Sequence, residues 1–106
     1  MMEEKKMNQM QQMIMQAQRM QREMKKAQDA LEQKEFVVEK GGMVKMTVLG
    51  NRSVKSVEID KDALDPENAD LLCETIAMAV NEAMEEIQKE SDAIQEKITG
   101  QSGMPF

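Results

Sequence analysis

The first third of the chain carries apolar residues at helical spacing. Between about residues 8 and 34 there is no glycine or proline, and the segment is rich in residue types that favour helices. Its apolar residues recur three and four positions apart, at Met10, Met13, Ala17, Met20, Met24, Ala27 and Leu31. This spacing forms one amphipathic stripe, and some of these positions repeat every seven residues, as in coiled coils. The pattern predicts a long helix, with Asn8 as a candidate N-terminal cap.

Between Glu35 and Asp60 the period of the pattern changes from helical spacing to two. Gly41-Gly42 and Gly50-Asn51 divide this region into three short runs. The alternating apolar residues are Phe36 and Val38 in the first run, Val44, Met46 and Val48 in the second, and Val57 and Ile59 in the third. Alternation bounded by turn residues predicts three antiparallel strands in a meander.

A second long helix is predicted after the strands. Asp65 is suited to cap it and Pro66 to its first position, while Gly100 marks its end. Its stripe consists of Leu72, Ile76, Val80, Ala83, Ile87, Ile94 and Ile98. The fold class is therefore α+β, in the order helix, three-stranded antiparallel meander, helix. We expect one domain over residues 8–99, with flexible ends at residues 1–7 and 100–106.

The lengths of these elements predict a dimer. A helix of about 27 residues runs roughly 40 Å, whereas a strand of about seven residues covers only some 23 Å. The apolar stripes therefore continue past the sheet, and an exposed stripe of this size calls for a second chain. The core must also be built without Trp or Tyr, which makes a self-sufficient monomer harder to achieve.

The composition argues against an enzyme. The chain has no histidine, which removes the commonest general base and zinc ligand, and it has no glycine-rich loop suited to phosphate. We expect no cofactor, no metal and no small-molecule substrate. Met7, Met10 and Met13 could offer thioethers to Cu(I), but the helical stripe needs the same residues, and core packing is favoured. Cys73 is predicted to be a small buried residue and not a nucleophile.

The cellular compartment of the protein is predicted from the lack of targeting and membrane-spanning patterns in the sequence. The start of the chain has no apolar segment after its first charges, and no stretch reaches the length of a membrane span. A single cysteine rules out an intrachain disulfide. We therefore expect a cytoplasmic protein that makes no membrane contact.

Charge is distributed unevenly along the chain. The net charge is −6, and residues 61–106 alone hold eleven acidic and three basic side chains. Basic residues concentrate instead in the first helix, in a group named here the cation cluster: Arg19, Arg22, Lys25 and Lys26. Three of its members fall on the side opposite the apolar stripe, so the cluster should face solvent, where it can meet the phosphates of a duplex. The alternative is an ordinary solvated helix face.

Several stretches of the sequence resemble the YbaB/EbfC nucleoid-associated proteins. The helical part of the resemblance is Asn8-Gln9-Met10 with Gln16-Ala17-Gln18-Arg19-Met20-Gln21 and Met24, followed later by Ala79-Val80-Asn81-Glu82-Ala83. The strand part is Gly42-Met43-Val44-Lys45-Met46-Thr47-Val48-Leu49-Gly50 with Val57-Glu58-Ile59-Asp60, and the closing Met104-Pro105-Phe106 also fits. The resemblance covers nearly the whole chain.

This resemblance implies a fold and a function. The fold is a helix–three strands–helix unit that forms an intertwined, tweezer-like homodimer. The function is binding of double-stranded DNA with little sequence specificity at the nucleoid, with some members involved in gene regulation. The cation cluster is then the expected DNA-binding site, with Lys5 and Lys6 as candidate helpers. The alternative is a chaperone-like or structural adaptor resembling prefoldin, whose Met-rich helices bind protein clients.

Overall fold

The computed structural model describes the backbone of residues 2–101 and the side chains of residues 8–100. Its main elements are α1 (Met2–Gln33), β1 (Glu35–Lys40), β2 (Val44–Leu49), β3 (Val54–Ile59) and α2 (Ala69–Gln101). This order confirms the predicted α-β-β-β-α arrangement. The proposed cap at Asn8 is wrong, because α1 already begins at Met2. Residues 2–7 and 100–101 lie in the helical backbone of α1 and α2, and residues 1 and 102–106 lie outside the described part, so the predicted flexibility of the two ends stays a prediction.

The connection into α2 is more elaborate than the sequence predicts. Two short 3-10 turns, Lys61–Ala63 and Pro66–Asn68, precede the helix. The Asp65 carboxylate accepts a hydrogen bond from the backbone N–H of Glu67 at 3.0 Å. Asp65 therefore caps as expected, but it caps the 3-10 turn that leads into the helix.

The three strands form an antiparallel sheet in the order β1-β2-β3. Phe36 of β1 pairs with Val48, and Met46 pairs with Val57 of β3, so apolar residues share one face of the sheet. On β2 that face is almost closed to solvent, with Met46 2% and Val48 0% exposed. The alternation predicted for β1 and β2 is confirmed.

Helix α2 covers this face over β1 and β2. Ala79 and Ala83 point at the sheet and are completely buried, and their small side chains let the helix approach closely. One flank of α2 is tied to β1 through the ion pair of Glu82 with Lys40. The opposite flank reaches the β2–β3 turn, where Arg52 donates to the side-chain oxygen of Gln88 at 2.7 Å.

The β2–β3 turn also fixes the end of α1. The backbone N–H of Gly50 donates to the carbonyl of Lys34 at 2.9 Å, and that of Asn51 donates to the carbonyl of Glu32 at 3.1 Å. Gly50 lies so close to α1 that a Cβ atom there would stand 1.7 Å from the carbonyl oxygen of Leu31. Only glycine allows this approach, which sets the position of α1 on the sheet.

Burial of the apolar stripe on α1 fades toward its N-terminus. Leu31 is 5% exposed, Met24 and Met20 are half-buried, and Met10 and Met13 are 63% and 70% exposed. The core packing favoured for Met10 and Met13 is therefore wrong for the single chain, and Met7 lies outside the described side chains. The physical reason is that α1 lies beside α2 only near its C-terminal half, where Gln28 and Leu31 adjoin Ile87 and Ser91.

Candidate functional site

The cation cluster lies on α1, N-terminal to the turn that packs on the sheet. All four of its side chains are exposed. Arg19 and Arg22 line a shallow groove along the helix together with Gln12, Met15 and Gln16. Lys25 lies on a different side of α1, where it lines a second groove together with Met20 and Met24. The structure therefore places the two arginines together and Lys25 at the border of the apolar stripe.

One member of the cluster is paired with an acid. The Arg19 guanidinium lies 3.4 Å from the Glu23 carboxylate, one turn further along the helix. The side chains are 76% and 48% exposed, so the pair is solvated and stabilises the helix by only about 0.3–0.5 kcal/mol. A phosphate can replace Glu23 at small cost. Within residues 8–100, Arg22, Lys25 and Lys26 form no ion pair.

Four lysines near the sheet differ from Arg22, Lys25 and Lys26 because an acidic side chain lies beside each of them. The pairs are Lys34–Glu90, Lys40–Glu82, Lys45–Glu39 and Lys55–Glu35. Among the described residues, Arg52, Lys61, Lys89 and Lys97 also lack an acidic partner, but the three unpaired members of the cluster lie within five consecutive residues of α1. The arrangement can bind phosphate groups along an extended ligand, since the cluster spans about 10 Å of helix.

A second surface, which the sequence analysis did not single out, lies on β3. Val57 and Val54 sit on the same sheet face as the buried residues of β2, yet they are 46% and 48% exposed. On α2, Ala77, Val80 and Met84 share one flank at intervals of three and four residues and are exposed or half-buried. We name these five residues the β3–α2 surface. Alternation in β3 was visible in the sequence, but only the position of α2 shows that this face of β3 stays partly exposed among the described residues.

Other candidate chemistry finds no support in the described residues. Cys73 is exposed, so its predicted burial is wrong: it lies about 100° around α2 from Leu72, which packs against the core. Among residues 8–100 no group of three or more His, Cys, Asp or Glu side chains lies close enough to share a metal ion. Lys5 and Lys6 fall outside the described side chains.

Comparison with known proteins identifies the family to which the chain belongs. Residues 7–102 match the model of the YbaB/EbfC DNA-binding family. A nucleoid-associated protein of Enterococcus faecalis is 45% identical over 100 residues, which cover 93% of this chain and 94% of that protein. A second nucleoid-associated protein, from Metamycoplasma arthritidis, is 37% identical over 85% of this chain and 94% of its own. The chain therefore belongs to the YbaB/EbfC DNA-binding family.

Within the described residues, neither long helix contains a segment that is apolar enough to cross a bilayer.

Proposed function

We propose that this protein binds double-stranded DNA at the nucleoid, mainly through contacts of the cation cluster with the phosphate backbone. One observation carries the proposal: four exposed basic side chains lie within eight residues of α1, and three of them have no acidic partner in the described part of the chain. Contacts with phosphate hold a protein on the duplex but carry little sequence information. Binding should therefore depend only weakly on DNA sequence, and any effect on gene regulation would follow from occupancy of the nucleoid.

Salt dependence tests this mechanism. A dimer that places both clusters on DNA makes roughly eight phosphate contacts, which gives a slope of about −7 for log affinity against log salt. Affinity for a fluorescent duplex should then fall by about 10³- to 10⁵-fold between about 50 and 200 mM salt. Fluorescence anisotropy across that range measures the slope. A slope near zero would contradict phosphate binding.

We further infer that the working form is a homodimer joined through the β3–α2 surface. This surface continues the core of the chain outward, since Val57 pairs directly with the buried Met46. An apolar sheet face that one chain leaves uncovered is buried at low cost by a second copy of the same surface. Two copies would carry two projecting α1 helices, consistent with a tweezer-like shape.

Substitution of Val57→Glu is expected to give a monomer at micromolar concentration. A carboxylate buried in an apolar interface without a partner costs several kcal/mol, enough to dissociate an ordinary dimer. Sedimentation velocity reports the mass directly. Val37→Glu is the matched control, because Val37 is similarly exposed, at 51%, and lies on the opposite face of the sheet. A dimeric Val57→Glu protein, or a monomeric Val37→Glu protein, would place the interface elsewhere.

A second candidate function rests on the exposed apolar residues of α1. Met10, Met13 and Ile14 are 63%, 70% and 53% exposed, and flexible methionines suit adaptable binding of protein clients. An adaptor of this kind would suppress the aggregation of an unfolding client protein and would show no salt-sensitive retardation of duplex DNA. DNA retardation that is sensitive to salt, without client protection, favours the first function.

A further inference from the structure

The face of α1 that carries the cations continues toward the N-terminus with uncharged residues. Asn8, Gln12 and Met15 precede Arg19 at intervals of four, three and four residues, which places all of them on one face. The structure confirms the continuity, since Gln12 and Met15 line the same groove as Arg19 and Arg22. We name Asn8, Gln12 and Met15 the amide segment.

The amide segment is free to bind a ligand. All three side chains are exposed, and Met15 is 66% exposed. Neither Asn8 nor Gln12 makes a side-chain hydrogen bond within the described part of the chain. Residues 8–18 contain no charged residue at all, so this stretch has nothing that would bind phosphate strongly. Its chemistry is that of hydrogen-bonding amides and an apolar tip.

Amide side chains match one base in the major groove. The carbonyl and NH₂ groups of Asn or Gln can form two hydrogen bonds with N6 and N7 of adenine, and apolar side chains contact the thymine methyl group. An α-helix fits into this groove, which is about 12 Å wide. Gln12 lies seven residues from Arg19, about 10 Å along the helix. When the arginines rest on the phosphates at one wall of the groove, Gln12 therefore reaches the base edges.

From this geometry we infer that the amide segment reads A·T base pairs in the major groove, an inference that rests on the DNA-binding function proposed above. Asn8 and Gln12 bind adenine, and Met15 packs against the thymine methyl group. The cation cluster supplies most of the affinity, and the amide segment adds a modest base preference. The affinity of the protein for DNA should then be somewhat higher for duplexes that contain A·T pairs.

Three duplexes that differ only in their central base pairs test the inference. One carries A·T pairs, one G·C pairs and one inosine·cytosine pairs, which resemble G·C in the major groove and A·T in the minor groove. Anisotropy titrations should show binding to the A·T duplex about five- to tenfold tighter than to both others. Equal affinity for all three duplexes would overturn the inference. So would an inosine·cytosine duplex that binds as tightly as A·T, because the minor groove or the shape of the DNA would then be read.

A pair of double variants assigns the preference to residues. Asn8→Ala with Gln12→Ala should reduce the preference for A·T to less than about twofold and leave binding to the G·C duplex unchanged. The matched control, Gln18→Ala with Gln21→Ala, removes two exposed amides from other faces of the same helix and should keep the full preference. Alanine favours helices, so both variants should fold.

Each possible failure has its own signature. A preference that survives Asn8→Ala with Gln12→Ala overturns the role of the amide segment but leaves the DNA-binding function intact. Failure of the wild-type protein to bind any of the three duplexes, with no salt-dependent retardation, overturns the DNA-binding function itself.

Discussion

Alanine at all four positions of the cation cluster is expected to weaken binding to every duplex by at least about a hundredfold at about 50 mM salt. The reason is that these four residues place exposed positive charge within eight residues of one helix, while the overall charge of the chain is −6. With these cations gone, nothing local offsets the repulsion between an acidic protein and DNA. The slope against salt should fall from about −7 toward zero. Anisotropy titrations at several salt concentrations measure both quantities.

The control for this variant removes the same amount of charge from other positions. Alanine replaces four exposed lysines that lie outside the cluster, namely Lys45, Lys55, Lys61 and Lys89. If net charge alone governed binding, the two variants would lose equal affinity. We expect the control to bind within about threefold of the wild type, because screening confines electrostatic effects to roughly 8–10 Å. Equal losses in the two variants would disprove a localised site.

The second large effect is expected from Gly50→Ala. The added methyl group would meet the carbonyl oxygen of Leu31 at 1.7 Å and its carbonyl carbon at 2.6 Å. Both are backbone atoms of α1 and cannot turn aside, so the turn must move away from the helix. Movement breaks the hydrogen bonds that Gly50 and Asn51 donate to Lys34 and Glu32. We expect the free energy of unfolding to fall by about 4 kcal/mol or more, which lowers Tm by roughly 20 °C.

Gly100→Ala serves as the control for Gly50→Ala. Gly100 lies within α2, and no atom stands within 4 Å of a Cβ atom built there. Alanine at this helical position should therefore raise the stability by up to about 1 kcal/mol. Thermal unfolding followed by circular dichroism distinguishes the two variants. A Tm for Gly50→Ala within about 3 °C of the wild type would show that the close approach of the turn to α1 is not required for folding.

The contact at Gly50 stabilises the fold and also orients the helix that carries the proposed DNA-binding residues. It ties the C-terminal end of α1 to the sheet, while the cluster and the amide segment lie on the same rigid helix further toward its N-terminus. A helix that is anchored at one end presents its exposed side chains in a fixed direction. This is the arrangement that a DNA-binding helix needs if phosphate contacts and base contacts are to form together.

The sequence predicted the elements because their local signals agree with the tertiary packing. Alternation in β1 and β2 matches their burial, and Asp65 caps the turn into α2 through its own side chain. The sequence-based predictions were wrong where the burial of a residue depends on a neighbouring helix or strand. Cys73 was expected to be buried beside Leu72, yet it is exposed. Met10 and Met13 follow a core pattern, but no part of the chain that the structure describes packs against them.

The sequence alone determined the order of helices and strands, the location of the cation cluster on α1 and the likeness to a DNA-binding family. These follow from periodicity and residue type, which act over a few residues. Only the tertiary structure decided that an acidic side chain lies beside each of four lysines near the sheet, that one face of β3 stays partly exposed, and that Gly50 must be glycine. Each of these depends on distances between residues far apart in the chain, which no local pattern encodes.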